Sequence, residues 1–185
     1  VESDEVFELA AEVFRVMSAP MRLKIISSLC NGEKNVGELL AEIDTLATTL
    51  TQETGKPITQ ARNEINGLLP RIDFFLEQSE GAVRDEHVFD DGGTHEQIAH
   101  PPLGVVANIS AWNYPWFVSC NVVIPALLAG NAVLYKPSEY ATLSGAHLVR
   151  LLHDAGVPRE VLAIVVGAGP AGSALLEQPI DGLFF

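Results

Sequence analysis

Asn113, in the word ISAWNYP, carries a side-chain amide that can donate to an oxygen gaining charge. As a turn residue it could equally bond its own backbone. Lys136 and Glu139 lie three apart in KPSE. An ammonium there can reach a ribose hydroxyl or a phosphate, and the carboxylate can accept from vicinal ribose hydroxyls. Ser110, Trp112 and Ser138 flank the same two loops. Gly167, Gly169 and Gly172 in GAGPAG are spaced loosely like a phosphate-cradling turn, but Pro170 intrudes and the spacing is poor. The glycines therefore do not match that turn. Cys120 falls among Val118, Val122 and Val123, a setting of packing more than of nucleophilic chemistry. No resident metal is expected: His87, His95 and His100 lie in an acidic loop, and His147 and His153 point different ways on one helix.

These residues need a frame that brings strand ends together, and the chain from Gly104 onward supplies its pattern. Apolar runs at Gly104–Ile109, Asn131–Tyr135 and Leu162–Val166 predict strands. Helical spacing predicts helices at Trp116–Leu128, Leu143–Asp154, ended by Gly156, and Gly172–Glu177. The runs are unbroken, not alternating, as in a parallel sheet covered on both faces. Such sheets bind ligands beyond the carboxyl ends of their strands, where Ser110–Asn113, Lys136–Glu139 and Gly167–Gly172 fall. Upstream, helices are predicted over Leu39–Thr54 and Gln60–Glu80, with Thr59 as cap and a kink or break at Pro70. Between Gly81 and Pro102 the chain reads as loop with one edge hairpin turning at Asp91, Gly92 and Gly93.

The first forty residues predict three short helices: residues 4–17, a second opened by Pro20, and a third after a capping box at Asn35 and Glu38. Cys30 is placed in the packing of that unit. The net charge is -13, from 24 acidic and 11 basic residues, which argues against nucleic acid or an anionic membrane as partner. Two cysteines make no disulfide framework, and no signal-like segment stands before them, which points to the cytoplasm. The apolar stretch Trp112–Leu134 is interrupted by Asn121, Pro125, Gly130 and Asn131 and does not read as a membrane span.

Two resemblances follow from particular words. AEVFRVMSAPMRLKIISSLCNGEKNVGELL, about Val6 to Leu40, resembles the opening of ArsR-type winged helix regulators, which implies a truncated helix-turn-helix unit over residues 1–40. The recognition helix and wing do not follow, and seven acids stand in those forty residues, so DNA binding is the second reading. From about Leu40 to Phe185 the words ETGKP, ISAWNYP, PALLAGNAVLYKPSE and DGLFF resemble the NAD(P)-dependent aldehyde dehydrogenases, with Ala111 standing where the family more often has proline. That resemblance implies an incomplete cofactor-binding domain over residues 41–185, a partial Rossmann-like α/β sheet preceded by the helical segment. It makes Asn113 the oxyanion donor in aldehyde oxidation through a cysteine thiohemiacetal. Ser110, Trp112, Lys136, Ser138, Glu139 and Gly169 become cofactor-binding residues, and Glu139 tilts the cofactor to NAD over NADP. It further implies a small aldehyde as substrate and a homo-oligomeric parent. The nucleophilic cysteine and the water-activating glutamate come later in the family's order than Phe185, so the chain reads as an inactive fragment whose terminal apolar run invites association.

Overall fold

The computed structural model describes residues 33–185. The helix predicted over residues 4–17, the one opened by Pro20, and Cys30 lie outside the described residues. The chain enters through α1 (Glu33–Thr54), one continuous helix that passes through residue 40 without a break. Leu46, Ala47 and Leu50 form its buried side. Gly55 ends it, taking φ +72, a left-handed value that glycine adopts without steric cost. The chain reverses into α2 (Ile58–Asn66), which begins after Pro57 with no side-chain cap, so Thr59 does not have the capping role its position suggests. α3 follows at Leu68–Ala82. The interruption between α2 and α3 falls at Gly67, upstream of Pro70. Restarting there puts Pro70 in the first turn of α3, where its missing N–H would have had no partner anyway.

A surface hairpin comes next, β1 (Glu86–Asp90) and β2 (His95–Ile98), paired antiparallel. The remaining elements alternate: β3 (Val105–Ile109), α4 (Pro115–Leu128), β4 (Ala132–Lys136), a 3₁₀ turn (Glu139–Ala141), α5 (Thr142–Asp154), β5 (Leu162–Ile164), α6 (Gly169–Leu176) and β6 (Gly182–Phe184). The four strands form a parallel sheet in the order β5-β4-β3-β6. Two steps in one direction followed by a return across β3 make the opening of a doubly wound, Rossmann-like sheet. Right-handed crossovers put α4 and α5 on one face and α6 on the other. Asn131 pins the entrance of the sheet. Its Oδ1 accepts from Leu103 N at 2.7 Å and Gly104 N at 3.1 Å, and its Nδ2 donates to the Ala126 carbonyl at 3.1 Å. β3 and β4 consequently start level, Val105 opposite Ala132, and end level, Ile109 opposite Lys136.

The core unites both halves of the chain: Leu46, Leu50, Ile65 and Leu68 from the helical hairpin join Trp116, Ile124, Leu127 and Tyr135. Among the described residues no helix is long and apolar enough to cross a membrane.

Candidate functional site

Level strand ends turn a sheet edge into a shelf. Past β3 and β4 the chain opens a cleft of about 420 Å3, whose walls include Ser110, Trp112, Lys136, Ser138, Glu139 and Gly169. Ile109, Gly172, Leu183 and Phe185 add apolar surface. The volume falls within the roughly 300–1,000 Å3 of small-molecule sites. The two strand exits are tied together by Ser110 N, which donates to the Lys136 carbonyl at 3.0 Å. Behind them, the Tyr135 hydroxyl shares a 2.8 Å hydrogen bond with Ser119 Oγ, which lies 3.0 Å from Ser110 Oγ. Burial pushes the Tyr135 hydroxyl above its usual range, so it stays protonated behind the cleft.

Lys136 is 3% exposed. Its Nζ donates to the Pro137 carbonyl at 3.1 Å and stands 4.0 Å from Glu139 Oε2. An ammonium has three protons to give, so a buried one with so few protein acceptors is suited to a ligand that brings oxygen atoms. Ser138 Oγ accepts from Tyr140 N at 3.3 Å and opens the 3₁₀ turn that carries Glu139 to the rim. Gly169, the first residue of α6, has open space where a Cβ would stand, and Gly172 lies against the Lys136 stem. The cradle thus combines a cationic donor, a rim carboxylate and an unobstructed backbone, which fits the ribose and phosphate end of a dinucleotide.

Asn113 is placed apart from this cleft, exposed in the loop between β3 and α4. Its Oδ1 accepts from Tyr114 N at 3.2 Å, and among the described residues nothing holds its Nδ2, which is the donor atom. The loop is anchored from below. Glu64, on α2, is buried, and its Oε1 accepts from Trp116 N at 2.9 Å and Phe117 N at 3.3 Å, the first free amides of α4. Its other oxygen pairs with Lys56, whose ammonium sits 3.7 Å from the centre of the Tyr114 ring. A carboxylate on a helix amino terminus is favoured by the dipole and by the unpaired amides. Glu53 does the same for α5, accepting from Leu143 N at 2.6 Å, Ser144 N at 2.8 Å and Ser144 Oγ at 2.7 Å. Glu53 and Lys56 belong to the word ETGKP, so that word ties the helical hairpin to the two helices that follow β3 and β4. Sequence reasoning did not reach these roles. The contacts span 52 and 90 residues, and no local period marks them.

Cys120 is wholly buried in α4. Burial first, and the Glu64 charge second, push its thiol up to about 12. At neutral pH it has no thiolate to offer. Of the histidines, His153 Nδ1 lies 2.9 Å from the Val157 carbonyl in the last turn of α5, a helix-end role. His87 and His95 come together on the hairpin with Asp90.

Comparison with known proteins agrees with this geometry. The model of the aldehyde dehydrogenase family matches residues 4–184. An N-succinylglutamate 5-semialdehyde dehydrogenase of Sphingopyxis alaskensis is 38% identical over 78% of this chain and 30% of its own. Its namesake in Burkholderia thailandensis is 34% identical over 99% of this chain and 38% of its own. The crystal structure of an aldehyde dehydrogenase from Brucella melitensis biovar abortus superposes with a TM-score of 0.82 at 27% identity, covering 97% of this chain and 37% of that one. The chain therefore spans about a third of the length of these relatives. The similar folds include an NADP dependent enzyme of E. coli and an NAD-dependent aldehyde dehydrogenase of Sinorhizobium meliloti, so the site is of the NAD(P)-binding, Rossmann type without selecting between the two cofactors.

The same matches correct the reading of the first forty residues. The family model runs from residue 4 straight through residue 40, and the Burkholderia relative aligns along nearly the whole chain, so no ArsR-like regulator segment and no helix-turn-helix unit stands before the sheet. The Pro, Arg and Leu that suggested one suit the opening turn of any amphipathic helix and do not single out a regulator. From residue 4 to residue 184 the chain belongs to the aldehyde dehydrogenase family.

Proposed function

We propose that this chain supplies the cofactor cleft and the oxyanion donor for oxidation of a small aldehyde to a carboxylic acid, with NAD preferred over NADP. The observation that carries the reading is the buried Lys136 ammonium, which opens on a cleft shared with Ser110, Ser138, Glu139 and Gly169. Lys136 donates to the cofactor's ribose or phosphate oxygens, and Glu139 accepts from the ribose hydroxyls. A second negative charge at the ribose would face the Glu139 carboxylate, which is the ground for preferring NAD. The bound nicotinamide supplies a hydride acceptor.

At the reacting carbonyl, a thiolate from outside the described residues attacks, and Asn113 Nδ2 donates to the oxygen as it gains charge. The Asn113 Oδ1 bond to Tyr114 N, and the Glu64 cap on α4 below it, hold that amide in place. Preorganisation of this kind makes a donor effective, because it costs no rearrangement at the transition state. Cys120 takes no part. The names of the relatives differ in their aldehyde, a succinylglutamate semialdehyde in one and an anhydrogalactose in another, which supports aldehydes as a class.

The test is turnover in a catalytic domain that contains this chain together with a nucleophilic cysteine. Asn113→Ala lowers kcat by about 10²–10³ with little change in KM, the usual loss for one oxyanion donor. A kcat unchanged by that substitution rejects the role.

A further inference from the structure

The hairpin β1–β2 contributes nothing to the cleft, and it gathers a different chemistry. Side chains on a regular strand alternate between faces, so residues 87 and 90 would point apart. In β1 the register shifts between His87 and Phe89: His87 pairs with Gln97, but Phe89 pairs with Glu96. Val88 is the extra residue of a bulge, and a bulge reverses the alternation. His87 is thereby brought onto the face of Asp90, and Asp90 pairs directly across the strands with His95. Three ligand atoms result, all within 4.8 Å of one another. His95 Nδ1 lies 3.3 Å and His87 Nε2 4.0 Å from Asp90 Oδ2. The turn holds the carboxylate in this pose. Asp90 Oδ1 accepts from Gly92 N at 2.8 Å, which leaves Oδ2 facing the two rings. Asp91 Oδ1 accepts from Thr94 N at 2.8 Å and Gly93 N at 3.0 Å and tightens the same loop.

We propose that His87, Asp90 and His95 bind one divalent first-row transition cation, Zn2+ being the probe, with water completing the coordination. Nitrogen and oxygen ligands about 2.0–2.2 Å from tetrahedral zinc stand roughly 3.3–3.5 Å apart. The His95–Asp90 pair already has that separation, and the exposed His87 ring reaches it by a small rotation. Two imidazoles with one carboxylate favour zinc, nickel and copper over magnesium and calcium. Each of the three residues is about half exposed, so a hydrated ion can enter. Between Asp85 and Glu96 the segment carries five carboxylates and no Lys or Arg, a local field that concentrates cations. The gap between ligands, two and four residues with a bulge and a turn, follows no contiguous zinc pattern. Spacing alone therefore points away from it.

The experiment is a Zn2+ titration of the tag-free chain against a chromogenic chelator, with the histidine ring proton resonances followed in parallel. Uptake of one equivalent, shifts confined to His87 and His95, and affinity at least tenfold weaker in His95→Gln but unchanged in His147→Gln are expected. The ring shifts are read on the unsubstituted protein and stand even where a variant folds poorly. Shifts at His147 or His153 in place of His87 and His95, affinity indifferent to His95→Gln, absence of saturable uptake, or equal competition by Mg2+ and Ca2+ overturns the proposal.

Discussion

An ammonium almost enclosed by protein is costly unless its protons are taken up, and Lys136 has the Pro137 carbonyl and a carboxylate at 4.0 Å to meet three of them. That imbalance separates stability from binding. Lys136→Met, which keeps the stem and removes the charge, is expected to leave the midpoint of thermal unfolding equal or higher while cofactor affinity falls; a large drop in the midpoint would mean that the charge serves the fold. Glu139→Gln is expected to narrow the difference between NAD and NADP dissociation constants, measured by calorimetry, and an unchanged ratio would remove Glu139 from cofactor choice. Cys120 gives a pH dependence of known sign. Its thiol is raised from 9.0 to about 12, so the folded form holds a proton that the unfolded form gives up at lower pH. Its stabilising contribution is complete below about pH 9 and is lost as pH rises toward 12, with a slope of up to about 1.4 kcal/mol per pH unit. Cys120→Ala should flatten denaturant stability over that window; an identical slope in both proteins would deny that the thiol is shielded.

At the scale of elements, the loops with the chemistry are held by helices that other helices cap. Glu64 is a buried carboxylate serving two amides and one ammonium, so Glu64→Ala leaves an uncompensated Lys56 and a bare end of α4. A loss of about 3–5 kcal/mol is expected in denaturant unfolding. A cost under about 1 kcal/mol would show that the pair is solvated. Gly145, on α5, packs on the loop after β4 so closely that a Cβ would stand 2.6 Å from Pro137 Cβ and 3.1 Å from the Tyr135 hydroxyl. A proline ring cannot swing aside, so Gly145→Ala should displace Lys136–Glu139 and weaken cofactor binding without touching the cleft. Unaltered binding in that variant would show that the loop absorbs the methyl group elsewhere. The strands themselves were legible because parallel strands buried on both faces leave apolar runs, and the predicted bounds of β3 and β4 fall within a residue of those observed. The break at Gly67 was displaced from Pro70 because a proline selects a first turn as readily as it breaks a middle one. The caps by Glu53 and Glu64 had no local signature at all.

Over the whole molecule, the helical hairpin and the sheet share one core, and Leu46, Leu50 and Ile65 pack with Trp116 and Tyr135. The placement of the cleft could be foreseen because a parallel sheet collects its strand ends, whereas the hairpin cluster depends on one bulge residue, Val88, whose effect composition does not reveal. α1 passes without a break through residue 40, where the two resemblances of the sequence meet. Cofactor binding in the cleft is what the buried Lys136 ammonium most directly implies. Titrating NAD into this chain, by calorimetry and by the fluorescence of Trp112, which is 52% exposed on the cleft wall, should give saturable binding at one site that weakens at least tenfold in Lys136→Met. A folded chain that shows no saturable binding, or one that binds equally well without the Lys136 ammonium, would contradict it.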